Sequence, residues 1–263
     1  MDLGLTGKKA FVTGSSRGLG FAAALVLAGE GCQVVLNGRD EPRLKRACQL
    51  IKEKTGIQAV YCQGDAADPV KASSLIKEAT DKLGGLDLLI TNTGGPSSGK
   101  FEDITEEVWQ RGIDLAFMSH VRLIQSALPY LRESQFASVL TITSYSVKQP
   151  IPNLILSNSI RSATIGLTKS LALELGPEGI RFNSLLPGWT KTERVKEIME
   201  FRAEQNNTSV SEEISQITID CPLGRMASPE EIGRAAAFLL SPAASYITGV
   251  MLNVDGGIYK GTM

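Results

Sequence analysis

Short apolar segments alternate with longer amphipathic ones along most of the chain. The segment KKAFVTG at 8–14 turns apolar after its two lysines and ends in glycine, which is typical of a strand buried on both faces. The same pattern recurs at 32–38, 58–64, 86–92, 137–144 and 180–188. Segments with helical spacing lie between these runs, at 18–30, 41–54, 68–83, 105–132 and 157–176. This rhythm predicts an α/β fold, in which a doubly wound parallel sheet carries helices on both faces.

One segment, 189–220, departs from the alternation. It is polar, has helical spacing and contains no strand pattern. Because it follows the predicted strand at 180–188, it is well placed to act as a substrate lid, with a solvated helical excursion as the alternative. No repeat, low-complexity tract or linker interrupts the chain, which predicts a single domain over 1–263.

Composition narrows the classes of function. Lys and Arg number 27 against 28 Asp and Glu, so the chain has no basic excess that would favour nucleic acid or an anionic membrane. The four cysteines lack paired spacing, which predicts reduced thiols and no metal site. No signal-peptide pattern precedes the first strand, and no apolar run reaches the roughly 18 residues of a membrane span. We expect a cytoplasmic protein that acts on a small-molecule substrate.

The first predicted strand runs into a glycine-rich turn, TGSSRGLG at 13–20. Gly14, Gly18 and Gly20 permit a tight turn and a close approach of the backbone to a ligand. The helix that follows presents unpaired N–H groups and the positive end of its dipole, which suit a pyrophosphate. After the first strand of a doubly wound sheet, this turn predicts a dinucleotide site.

From this loop onward the chain resembles the short-chain dehydrogenase/reductase family, which has a Rossmann-type fold. TNTG at 91–94 resembles the family's motif after the fourth strand, and PG at 187–188 follows the sixth. PLGRMASPEEIG at 222–233 and SYITGVMLNVDGG at 245–257 are similar to the end of the ketoacyl-carrier-protein-reductase-like members. The resemblance implies an oxidoreductase that assembles as a homodimer or homotetramer. It implies cofactor-binding residues at Gly14, Ser16, Arg17, Gly18, Leu19, Gly20, Arg39, Asp65, Ala66, Asn92, Gly94, Arg161, Pro187, Gly188 and Thr192.

The end of the second strand indicates which nicotinamide cofactor binds. A carboxylate there would hydrogen-bond the adenosine ribose and repel a 2′-phosphate, but NGRD at 37–40 places Asn37 at that point. Arg39 follows, and Arg17 lies in the glycine-rich turn, so two guanidinium groups are available to clamp one phosphate. We therefore expect NADP(H) rather than NAD(H). The alternative is a surface Arg39 paired with Asp40 or Glu41.

The catalytic positions depart from the family pattern. The resemblance implies an Asn that supports a water, a Ser that polarises the carbonyl, a Tyr that donates the proton, and a Lys that binds the nicotinamide ribose. Ser144 occupies the Ser position, whereas Asp114, Ser157 and Arg161 replace the Asn, Tyr and Lys. Serine is a far weaker acid than tyrosine, and arginine can bind a ribose but cannot shuttle a proton.

Three interpretations of the catalytic pattern stay open. The first is an oxidoreductase with an altered proton donor, which is water, Tyr145 or an Asp114 whose pKa is raised by burial. The second is an inactive NADP(H)-binding regulator or sensor, and the third a lyase or isomerase.

Four further side chains give weaker signals. Tyr145 and Lys148 have the wrong spacing for the family pair, and strand alternation predicts that Tyr145 points away from the face of Ser144. His120 is expected to be a packing residue rather than a base. Trp189 is expected at the edge of the lid, where it covers the nicotinamide in one hypothesis.

Overall fold

One seven-stranded parallel sheet runs through the computed structural model, which describes residues 2–262. Its strands are β1 (Lys9–Val12), β2 (Gln33–Gly38), β3 (Val60–Gln63), β4 (Leu88–Thr91), β5 (Ser138–Ile142), β6 (Arg181–Pro187) and β7 (Met251–Val254). Their order across the sheet is β3-β2-β1-β4-β5-β6-β7, and every neighbouring pair is parallel. The doubly wound sheet predicted from the apolar runs is confirmed. Strands β1 to β6 lie within their predicted segments, and β7 is a further strand that those runs did not include.

Helices cover both faces of the sheet. They are α1 (Gly18–Gly29), α2 (Glu41–Thr55), α3 (Lys71–Leu83), α4 (Glu106–Ile113), α5 (Ser119–Arg132), α6 (Ile155–Leu175), α7 (Glu193–Asn206), α8 (Val210–Ile219) and α9 (Pro229–Leu240). The two faces form separate apolar clusters. Ala10 and Val12 of β1 face one cluster with α1 and α9, whereas Phe11 faces the other with α3 and α5. This division follows from the strand period of two, which sends successive side chains to opposite faces.

The predicted helix at 105–132 is interrupted. A single turn of π-helix at Asp114–Met118 separates α4 from α5. The wider turn leaves carbonyl groups without their usual helical partners, and the carbonyl of Ala116 accepts a hydrogen bond from Thr164 Oγ1 of α6 at 2.8 Å. This bond joins α6 to the middle of the interrupted helix.

The segment predicted to be polar and helical, 189–220, contains α7 and α8 and no strand. Side chains cap both helices at the start: Thr192 accepts from Val195 N at 3.3 Å, and Ser209 forms a capping box with Glu212. The first turn of α7 comes six residues after β6 ends, at the carboxyl edge of the sheet. Within residues 2–262, none of the helices is long and apolar enough to cross a membrane.

His120 of α5 is fully buried, as expected for a packing residue. Its Nδ1 lies 2.7 Å from Thr91 Oγ1 of β4, and its Nε2 has no hydrogen-bond partner in the described part of the chain. Burial, with a smaller contribution from the charge of Arg161, lowers the pKa of His120 to about 3. The imidazole is therefore neutral at physiological pH and contributes no proton.

This burial predicts a pH dependence of stability. The unfolded chain takes up a proton on His120 below pH ~6.5, whereas the folded chain does so only near pH 3, so stability falls as the pH falls between these values. Between pH 7 and pH 5 we expect this group to cost about 2 kcal/mol of the free energy of unfolding. The free energy of unfolding, measured by urea denaturation at several pH values, should therefore depend less on pH in His120→Asn than in wild type. The same pH dependence in both proteins would contradict the buried neutral imidazole.

Candidate active site

Hydrogen bonds join the residues that follow the carboxyl ends of β1 and β4. Thr13 Oγ1 donates to the Asn92 carbonyl and accepts from the Asn92 N–H, both at 2.9 Å. The Asn92 side chain also donates to the Gly14 carbonyl at 3.0 Å. A Cβ on Gly14 would lie 2.6 Å from the Asn92 oxygen, and one on Gly20 would lie 2.5 Å from the Gly14 oxygen. The glycine-rich turn therefore needs glycine at both positions to pack against β4.

The N-terminus of α1 opens into a cavity at this junction. Its N-cap residue Arg17 provides no side-chain cap, and the first turn carries no acidic residue. By contrast, α2 and α7 are capped by the side chains of Asp40 and Thr192. The N-terminal residues Gly18 and Leu19 line the cavity, and a Cβ on Gly18 would meet nothing closer than Thr192 Cγ2 at 4.0 Å. An uncapped helix start beside open space fits an anionic group such as the pyrophosphate of a dinucleotide.

The cavity has a volume of about 470 Å³ and lies along the carboxyl ends of β1, β4, β5 and β6. Ligands of doubly wound sheets bind at this edge, where the strand order reverses. Most of the residues predicted from the sequence line it: Gly14, Arg17, Gly18, Leu19, Arg39, Asn92, Gly94, Ser144, Ser157, Arg161, Pro187, Gly188 and Thr192. Residues separated by as much as 178 positions along the chain therefore share one cavity.

Five predicted residues do not line the cavity: Ser16, Gly20, Asp65, Ala66 and Asp114. Ser16 borders a neighbouring groove, and Ala66 is buried in the core. Asp65 caps its own turn, where Oδ1 accepts from Ala67 N at 3.0 Å. Gly20 contributes by permitting the close packing described above rather than by facing the cavity.

The suggestion that burial raises the pKa of Asp114 is wrong. Asp114 accepts a hydrogen bond from Arg122 at 2.8 Å and another from Gln110 at 3.2 Å. The Arg122 guanidinium, followed by the Gln110 amide, lowers the pKa of Asp114 because both stabilise the carboxylate. Asp114 is therefore an ionised structural residue that joins α5 to the π-turn and is not a proton donor.

The two arginines expected to clamp a phosphate both have carboxylate partners. Arg17 forms an ion pair with Glu193 of α7, which also lies 3.7 Å from Arg43. Arg39 lies 3.6 Å from Asp65, not from Asp40 or Glu41, and its side chain is 80% exposed. Asn37 faces away from the cavity: it is buried and donates to the Cys62 and Gly64 carbonyls, both at 3.1 Å. Arg17 and Arg39 still line the cavity, and Glu193 stands beside Arg17 there.

Helix α6 places Ser157 and Arg161 on one face, one turn apart, and both line the cavity. Arg161 is only 7% exposed, and its Nη1 donates to the Ile142 carbonyl at the end of β5, at 3.2 Å. Burial, and then the charge of Arg194, lower the pKa of Arg161 to about 10, so the guanidinium remains charged at neutral pH. Ser144 follows β5, and its Oγ accepts from Ser146 N at 3.1 Å.

Strand alternation wrongly predicted that Tyr145 points away from Ser144. β5 ends at Ile142, and Tyr145 begins a short 3₁₀ turn, so the period of two no longer applies. Tyr145 is buried, lines the cavity beside Ser144 and packs against Trp189. Burial raises its pKa to about 12, so the phenol keeps its proton.

Trp189 and Arg194 also border the cavity. Trp189 packs with Tyr145, Ile151 and Ile258, and the guanidinium of Arg202 lies 5.3 Å from its ring. Arg194, in the first turn of α7, was not singled out from the sequence. Its only signal was its place two residues after the predicted Thr192 in a polar segment.

Comparisons with known proteins agree with this geometry. A family model described as enoyl-(acyl carrier protein) reductase matches residues 14–259. Dehydrogenase/reductase SDR family member 4 of Oryctolagus cuniculus is 34% identical over 256 residues, which cover 96% of this chain and 94% of that protein. The structure of L-sorbose reductase from Gluconobacter frateurii, complexed with NADPH and L-sorbose, is similar with a TM-score of 0.94 and 31% identity, covering 99% of this chain and 100% of that chain. A 7α-hydroxysteroid dehydrogenase complexed with NADH is similar with a TM-score of 0.87 and 31% identity, covering 97% and 96%.

The tight junction at the glycine-rich turn predicts a contrast between two glycines of α1. Gly20→Ala should lower the free energy of unfolding by about 1–3 kcal/mol, because the new methyl group would overlap the Gly14 carbonyl and the Asn92 amide. Gly29→Ala is the matched control, since its Cβ would meet nothing closer than Thr55 Cγ2 at 3.9 Å. Urea denaturation of both variants measures the difference. Equal effects would contradict the packing argument.

Proposed function

This chain belongs to the short-chain dehydrogenase/reductase family, and we propose that it is an NADP(H)-dependent oxidoreductase that interconverts a carbonyl and an alcohol with an atypical catalytic set. Its relatives are dehydrogenases and reductases, which supports the reaction class. The observation that carries the proposal is the single cavity. It joins an uncapped helix N-terminus and two arginines to Ser144, Ser157 and Arg161.

The preference for NADP(H) rests on the residues at the adenosine end of the cavity. The solved relatives include complexes with NADPH and with NADH, so the family alone does not select the cofactor. Arg39 and Arg17 border the cavity, and an exposed guanidinium such as that of Arg39 is free to turn toward a 2′-phosphate. Glu193 opposes this, because a bound phosphate must compete with it for Arg17.

The catalytic proposal assigns each side chain a limited task. A bound nicotinamide cofactor supplies or accepts the hydride. Ser144 donates a hydrogen bond to the substrate carbonyl, and Arg161 uses its free N–H groups to hold ribose hydroxyls. Ser157 is too weak an acid to donate a proton near neutrality. Water delivers that proton, and the absence of a strong general acid slows the reaction by roughly 10²–10⁴-fold.

Two further features belong to the same proposal. Residues 189–220 form a lid within a single domain 1–263, since α7 borders the cavity. The protein acts in the cytoplasm on a small molecule, as a homodimer or homotetramer like other members of the family.

The replacement of the family Tyr by Ser157 supports a second candidate, an NADP(H)-binding sensor without turnover.

The ion pair between Arg17 and Glu193 predicts an effect on cofactor choice. Glu193→Gln should tighten NADPH binding about threefold to tenfold, because Arg17 is released and a repulsive carboxylate is removed, while NADH binding should change little. Titration calorimetry with both nucleotides measures this. Glu200→Gln is the matched control, since it removes a carboxylate from the same helix outside the cavity. Equal tightening of NADH and NADPH would argue against a 2′-phosphate at Arg17.

Substitutions at the catalytic positions separate the two candidate functions. NADPH oxidation with ketones, quinones and acyl thioesters should occur in wild type and fall by about 10²–10⁴-fold in Ser144→Ala. The double variant Ser157→Tyr/Arg161→Lys should raise the rate by restoring a general acid. If wild type binds NADPH tightly but is inert on every class, the oxidoreductase proposal fails and the sensor function is favoured.

A further inference from the structure

The cavity is lined by more positively charged than negatively charged side chains. Four arginines and two glutamates line it: Arg17, Arg39, Arg161, Arg194, Glu193 and Glu197. Glu193 pairs with Arg17, and Glu197 lies 3.6 Å from Arg194, where both side chains are about half exposed. Neither glutamate therefore neutralises Arg161. Among residues 2–262, Arg161 is the one cation of this cavity that is deeply buried.

Arg161 is a buried cation without a counterion. It is 7% exposed and makes one hydrogen bond, to the Ile142 carbonyl. Within residues 2–262, no carboxylate lies within ion-pair distance of it. A charge removed from water in this way is costly unless an anion and further acceptors compensate it. Ribose hydroxyls would supply acceptors for its other N–H groups but no negative charge.

Arg194 approaches the same space from the lid. Its Nη2 donates to the Pro96 carbonyl at 3.3 Å, and its guanidinium passes over Gly95, where there is no side chain to obstruct it. It is close enough to Arg161 for its charge to act on that guanidinium. Arg161 on α6 and Arg194 on α7 thus face one cavity from two walls. Two like charges that line one cavity repel each other, which favours the binding of an anion there.

We propose that the substrate is a carbonyl compound that carries an anionic group, a carboxylate or a phosphate, and that Arg161 and Arg194 bind this group. The inference rests on the proposed carbonyl chemistry and names its substrate class. The planar guanidinium fork matches both carboxylate and phosphate oxygens. Because Arg194 belongs to the first turn of α7, the bound anion also holds the lid against the cavity.

Paired ligands that differ only in charge test this proposal. Pyruvate, acetoacetate and levulinate are each compared with their methyl esters, and dihydroxyacetone phosphate is compared with dihydroxyacetone. Each is titrated by calorimetry into the protein with and without saturating NADP⁺, and each is assayed for NADPH oxidation. The oxo acids show whether a carboxylate is recognised and at what distance from the carbonyl, and the phosphate pair tests the other anion.

The chain offers a matched pair of variants on α7. Arg194→Gln removes a cavity cation that lies 3.6 Å from Glu197. Lys196→Gln removes a cation on the same helix that lies 3.6 Å from Glu200 and does not line the cavity. In wild type we expect at least one anion to bind about tenfold or more tightly than its neutral partner. Arg194→Gln should reduce this ratio by about threefold or more, because only Arg161 is left to bind the anion, and Lys196→Gln should leave it unchanged.

Three outcomes would overturn the proposal. The first is equal affinity for the charged and the neutral ligand of every pair in wild type. The second is an equal loss of anion preference in Arg194→Gln and Lys196→Gln. The third is a loss of NADPH affinity in Arg194→Gln without a change in the ratio of anion to neutral affinity. The last outcome would assign Arg194 to the cofactor. The proposed function fails separately: an anion preference without any NADPH oxidation would retain the anion site and reject the reductase, whereas reduction of neutral ketones alone would do the reverse.

Discussion

The fastening of β1 to β4 is the constraint on which the rest of the site depends. Thr13 and Asn92 exchange two hydrogen bonds at 2.9 Å, and the close contacts of Gly14 and Gly20 leave no room for side chains. Because the strand order reverses between these two strands, a crevice opens beyond their ends. The uncapped N-terminus of α1 faces that crevice, so backbone packing and ligand chemistry meet at the same point.

Helix α6 carries two residues of the proposed catalytic set. The bond from Thr164 to the π-turn and the bond from Arg161 to β5 hold the helix in place, so Ser157 and Arg161 face the cavity. In the proposed set, Arg161 supplies a positive charge and Ser157 supplies no acidic hydroxyl. Tyr145 stands beside Ser144 with its proton firmly held, because burial disfavours the phenolate. Under the proposed function, binding and orientation are therefore better preserved than proton transfer.

The first turn of α7 connects the two ends of the cavity. Thr192 caps the helix, Glu193 reaches Arg17 near the glycine-rich turn, and Arg194 reaches the loop after β4. Consecutive residues of a helix point in directions about 100° apart, which lets neighbours on one turn contact both ends. Anionic groups of cofactor and substrate would thus act on adjacent residues of one helix, and α7 is the element through which the two binding events can influence each other.

The sequence by itself determined the features that depend on local order. Apolar periodicity determined the parallel sheet and its helices, and the resemblance to the family predicted which residues stand at the Ser, Tyr and Lys positions. Tertiary structure decided the partners. Arg122 lowers the pKa of Asp114. Glu193 forms an ion pair with Arg17, which lies 176 positions away in the sequence. Tyr145 turns into the cavity because β5 ends early. Periodicity reports which face a residue occupies within its own element, whereas burial and charge pairing depend on elements that meet only when the chain folds.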